Sequence, residues 1–88
     1  MTAADSTSPT ALLCLRVSTD GDPSVLTRVL GYFGNLNLTP RRVVAEFASN
    51  HQLHVKVDVS GLSEARLTLI TAKVSANPSV LNAYWHYL

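Results

Sequence analysis

The stretch Asp22-Pro23-Ser24-Val25-Leu26-Thr27-Arg28-Val29-Leu30-Gly31-Tyr32-Phe33 constrains the fold most, because it follows an apolar run directly and carries both the start and the period of an amphipathic helix. Asp22 suits the N-cap, and Pro23 suits the first helical position, where a missing N–H loses nothing and φ is preset. Val25, Leu26, Val29, Leu30 and Phe33 then share one helical stripe. Upstream, Ala11 to Ser18 is rich in Leu and Val with Arg16 its lone charge, which reads as a mostly buried central strand. Thr19-Asp20-Gly21-Asp22 breaks it. A strand therefore runs straight into a helix N-terminus, and the amides of Ser24, Val25 and Leu26 are placed to hold a carboxylate.

The remaining elements follow from period and punctuation. The helix is expected over Pro23 to about Gly34, with Gly34 or Asn35 taking the left-handed position at its end. Leu36 to Ala48 holds a second strand whose useful part begins after Pro40. Ser49-Asn50 is a turn, and His51 to Val59 alternates cleanly: Leu53, Val55, Val57 and Val59 point to a core, His54, Lys56 and Asp58 away from it. Ser60 or Ser63 caps a second helix running through Val74, with Leu67, Ile70 and Val74 on its inner stripe. Asn77-Pro78 ends it, and Val80 to Leu88 forms a final strand. The order β-α-β-β-α-β predicts an α+β, ferredoxin-like fold: a four-stranded antiparallel sheet with two helices on one face. Right-handed crossovers put the first and third strands in the middle and the second and fourth at the edges.

Composition sets the scale. The 88 residues make one domain, expected over 11–88, behind a flexible leader of Ala, Ser, Thr and Asp over 1–10. A domain this small buries only ~60–65% of its unfolded surface, so association with another chain is expected. Charged residues make up 15% of the chain and hydrophobic ones 47%, against roughly 25% charged in an ordinary soluble domain. Some apolar surface is therefore expected to meet a partner, in a homodimer or higher oligomer. Tyr84, Trp85 and Tyr87 in the final strand are the candidate anchors, since Trp and Tyr dominate interfaces. The net charge is +1 and no basic run exceeds Arg41-Arg42, which argues against nucleic acid. The sequence has neither a secretory signal nor a long apolar span, so a cytoplasmic protein without membrane contact is expected.

Catalysis finds no motif. His51, His54 and His86 fall on expected strands without metal-ligand spacing, and no metal or cofactor is expected. Cys14 sits mid-strand as a small hydrophobe with no second cysteine to pair with. Turn formation and capping account for Asp20 and Asp22. Three other uses of the fold are disfavoured. The third strand lacks the aromatics of an RNA-recognition sheet, the first loop lacks Cys-x-x-Cys, and its two aspartates would repel a phosphate.

The same helix start carries a family resemblance. Pro23, Leu26, Arg28, Val29, Leu30, Gly31 and Phe33 stand in an order similar to the ACT domain, most closely to the small regulatory subunits of acetolactate (acetohydroxyacid) synthase. The resemblance implies a corner that meets a neighbouring subunit and binds an effector, typically valine or another branched-chain product. The residues it places there are Gly21, Asp22, Pro23, Ser24, Val25, Leu26 and Thr39. Ser24 stands where the family usually has glycine, and Gly21 and Thr39 stand where it often has asparagine, so Ser24→Gly with Gly21→Asn and Thr39→Asn is expected to strengthen a weak site. These departures resemble the short, valine-insensitive type, which assembles and activates a thiamine-diphosphate-dependent catalytic large subunit. The alternatives are a free-standing amino-acid sensor and a ferredoxin-like interaction protein without a ligand.

Overall fold

The computed structural model describes residues 11–88, and the leader expected over 1–10 lies outside the described residues. The elements are β1 (Leu13–Thr19), α1 (Pro23–Gly34), β2 (Arg42–Phe47), β3 (Leu53–Val59), α2 (Glu64–Ser75) and β4 (Val80–Tyr87). They build one 4-stranded sheet in the order β2-β3-β1-β4, antiparallel at every step. This is the ferredoxin-like βαββαβ arrangement, with β1 and β3 central as the crossover rule requires.

Asp22 caps α1 and Pro23 opens it, while Ser63 caps α2 by accepting from the Arg66 amide at 3.1 Å. Val25, Val29 and Phe33 of α1 and Leu67, Ile70 and Val74 of α2 are buried against Leu13, Leu15 and Val17 of β1 and Val55, Val57 and Val59 of β3. Each such side chain contributes roughly 1.5–3 kcal/mol by leaving water. The alternation in β3 is realised on its core side.

Three local expectations are corrected. Asn35 ends α1 in the right-handed region, and the left-handed residue is Asn37, at φ 59°. The chain turns there because the Leu36 and Leu38 amides both return to the Phe33 carbonyl, each at 3.0 Å. His51 is a turn residue at φ 66° and not a strand residue, since its amide closes on the Ala48 carbonyl while Asn50 Oδ1 takes the Gln52 amide. Asp58, expected on a solvated face, is only 7% exposed, directly opposite Cys14 of the neighbouring β1, with its Oδ1 unpartnered. On β2, the residues with core parity stay in the open: Val43 is 40% and Phe47 69% exposed.

Candidate functional site

The corner between β1 and α1 is tightly cross-braced. Thr19 is fully buried, and its Oγ1 accepts the Gly21 amide at 3.0 Å. The Asp20 side chain accepts the Asp22 amide at 3.0 Å, and the Asp20 amide donates to the Ser79 carbonyl at 2.9 Å. Gly21 lies at φ 96°, a region that suits glycine. A Cβ built there would stand 2.9 Å from the His51 carbonyl oxygen and 3.6 Å from Phe47 Cε1. The corner therefore abuts the C-terminal end of β2.

Asp22 is the centre of the site. Its Oδ1 accepts from both the Ser24 amide and the Ser24 hydroxyl, each at 2.9 Å, and its Oδ2 accepts the Ser79 hydroxyl at 3.3 Å. The bond from the Ser24 backbone, then that from the Ser24 hydroxyl, hold the carboxyl below its ordinary range, aided by Ser79 and the nearby charge of Arg28. The Asp22 carbonyl also accepts the Val25 amide at 3.2 Å. The amides of Ser24 and Val25, expected to be open to a ligand carboxylate, are thus occupied by Asp22 itself. Asp22 is a short residue directly before the helix, so its own carboxylate reaches the place an anion would take.

Gly21, Asp22, Pro23, Ser24, Val25 and Leu26 stand together at this corner. Thr39 does not join them, because it precedes β2 at Arg42 whereas the corner abuts Phe47. Along a strand rising ~3.3 Å per residue, those two ends are roughly 16 Å apart. Resemblance placed Thr39 at the site, and no periodicity in one chain shows which end of β2 the corner meets. On its other side the corner opens into a cleft of about 420 Å³ lined by Asp22, Ser24, Arg28, Tyr32, Lys73 and Ser79, among others. Sequence reasoning missed this grouping, because Arg28 and Lys73 come from different helices and only the tertiary fold brings them to one opening.

The aromatic residues of β4 are divided by the pleat. Trp85 packs on the core and donates from Nε1 to Thr68 Oγ1 at 3.0 Å, with Tyr87 edge-on to its ring at 5.6 Å. Tyr84 lies on the opposite face beside His86, and Arg16 Nε donates to His86 Nε2 at 2.9 Å. Burial, then a hydrogen bond and repulsion from Asp58, push the Cys14 thiol up, which disfavours a nucleophilic thiolate. Among the described residues, no three His, Cys, Asp or Glu side chains are grouped to hold a metal ion. No helix among them is long and apolar enough to cross a membrane.

A family profile described as an ACT-like domain matches residues 6–87. The chain belongs to the ACT-like domain family. Solved structures agree on the fold of this ACT-like chain. The C-terminal domain of the MgtC protein from Mycobacterium tuberculosis superposes with a TM-score of 0.73 at 18% identity, covering 93% of this chain and 92% of that one. The ACT domain from GTP pyrophosphokinase of Chlorobium tepidum gives 0.70 at 14% identity, covering 88% of this chain and 100% of the other. A homoserine dehydrogenase from Thiobacillus denitrificans gives 0.72 at 16% identity, over 89% of this chain but 17% of the dehydrogenase. No curated protein matches the sequence.

Proposed function

We propose that this ACT-like chain is a non-catalytic regulatory and assembly module, a homodimeric small subunit that binds and activates a separate catalytic large subunit. The order of Pro23, Leu26, Arg28, Val29, Leu30, Gly31 and Phe33 directs the choice of partner to a thiamine-diphosphate-dependent acetolactate synthase in cytoplasmic branched-chain amino-acid biosynthesis. The cofactor belongs to that large subunit. One observation supports assembly over sensing: Asp22 fills the helix start with its own ionised carboxylate. An incoming ligand carboxylate must displace it or lie beside it, and like charges in one site repel. On this reading valine, leucine and isoleucine bind no tighter than about millimolar, a free energy near −4 kcal/mol.

The cleft beside the corner favours a second reading, a free-standing amino-acid sensor. The cations Arg28 and Lys73 line it together with Asp22, a set of charges suited to the carboxylate and ammonium of one zwitterion. Two experiments separate these readings. Co-expression with candidate large subunits, followed by pull-down and an acetolactate assay, tests the first: retention of a large subunit with raised synthase activity supports it, and no retention by any of them removes it. Calorimetry with the three branched-chain amino acids tests the second, and micromolar binding by the unaltered chain would decide for the sensor.

A further inference from the structure

The face of the sheet that no helix covers carries two cations next to each other on its central strands. The core takes Leu15 and Val17 from β1 and Val55 and Val57 from β3, so alternation sends Arg16 and Lys56 to the other side. These two are direct partners in the register of β1 with β3, and Tyr84 is the partner of Arg16 on β4. Directly opposed residues hold their Cβ atoms about 4.5–5.5 Å apart, and like charges placed so are destabilising. Among the described residues no carboxylate makes an ion pair with either cation. Asp58 and Glu46 share the face, but across β2 and β3 Asp58 stands opposite Arg42 and Glu46 opposite His54.

The pair borders a hollow of about 150 Å³, lined by Arg16, Ser18, Glu46, His54, Lys56 and Tyr84, among others. Arg16 is already held beside it. Its Nε donates to His86 Nε2 at 2.9 Å, and His86 Nδ1 lies 2.7 Å from the Tyr87 carbonyl oxygen. A neutral imidazole with its proton on Nδ1 satisfies both contacts. His86 thus fixes the guanidinium through Nε and leaves Nη1 and Nη2 without a protein partner among the described residues. A fork fixed in advance loses less freedom when it binds an anion.

We propose that this hollow is a site for a phosphate group, free or at the head of a small phosphate ester, held between Arg16 and Lys56. A phosphate group carries about −1.5 to −2 charge at pH 7 and strong acceptor oxygens, so one group answers both cations where a single carboxylate answers one. The hollow suits such a group and not a whole nucleotide, since sites for drug-sized ligands occupy roughly 300–1,000 Å³. Glu46 and Asp58 interrupt the positive field, which fits one compact anion and not a nucleic-acid backbone. His86 is a positioning residue that acts through Arg16. The site shares no lining residue with the cleft beside Asp22, so it stands apart from the partner and effector readings above.

Calorimetry of the full chain with inorganic phosphate at constant ionic strength tests this, with circular dichroism to show that each variant folds. Saturable binding at millimolar concentration or tighter is expected, and Lys56→Gln and Arg16→Gln should each weaken it about tenfold or more. Lys73→Gln and Arg66→Gln remove a cation elsewhere and should leave binding within about twofold. His86→Phe should weaken it about threefold by releasing Arg16, and His86→Gln, which keeps an acceptor, should restore it. Glycerol phosphate binding more tightly than inorganic phosphate assigns the site to an ester, and equal binding assigns it to the free ion. No binding of either at about 10 mM overturns the proposal. Succinate binding more tightly than both, or phosphate binding that survives Lys56→Gln and is lost with Lys73→Gln, overturns it as well.

Discussion

The carbonyl oxygen of His51 sits 2.9 Å from the point where a side chain at Gly21 would begin. The hairpin between β2 and β3 is thereby pressed against the loop that enters α1. His51 is itself left-handed, at φ 66°, so its carbonyl cannot swing away without undoing the turn.

This contact reverses an expectation about the ligand corner. Asparagine at Gly21 meets both an unfavourable φ and a backbone oxygen, so Gly21→Asn should destabilise the fold by about 2–3 kcal/mol and add no binding. Gly21→Ala should cost nearly as much, since the Cβ alone makes the contact. Thermal melts check this, with an expected loss of about 10 °C or more.

Asp22 makes acid stability measurable. Its carboxyl is held below the unfolded value, near 3.8, chiefly by the Ser24 bonds. A depressed folded pKa contributes stability that is present above the unfolded pKa and lost as pH falls through the folded one. The melting temperature of the unaltered chain should therefore fall more steeply below about pH 4 than that of Asp22→Asn, which keeps a capping acceptor without the charge. Parallel slopes for the two proteins would show that Asp22 is not held in this way.

Neighbouring residues of β3 should respond oppositely. Val57→Asp puts an unpaired charge into the fully buried core and should cost several kcal/mol, enough to unfold a domain of this size. Lys56 faces Arg16 directly across the sheet, so Lys56→Asp turns a like-charge pair into an opposite one. It should be neutral or stabilising by a few tenths of a kcal/mol. Equal melts of the two variants would refute the assignment of faces.

Asp58 offers a stabilising change. Its buried Oδ1 has no partner, and an apolar side chain of similar size removes that orphan acceptor. Asp58→Val should leave stability unchanged or raise it by about 1 kcal/mol, as chemical denaturation will show.

The legible part of this fold lay in local patterns with a single physical solution. Alternation from Leu53 to Val59 placed one side of β3 in the core, and Asp22-Pro23 marked the start of α1 because proline there costs no hydrogen bond. The illegible part depended on contacts distant in sequence. Asp58 is buried because β1 brings Cys14 beside it, and the left-handed turn waits until Asn37 because Leu38 must return to Phe33. At the site, Asp22 read correctly as a cap, yet a cap and a ligand carboxylate want the same amides. Only the geometry shows the cap already in possession of Ser24.

Ser79 has a role that reaches beyond bracing. Its carbonyl holds Asp20, its hydroxyl holds Asp22, and it directly precedes Val80, the first residue of β4. The entrance of α1 and the start of β4 are thus tied together by one residue, and tied twice: removing the Ser79 hydroxyl would free one oxygen of Asp22 while leaving the backbone bond to Asp20 in place.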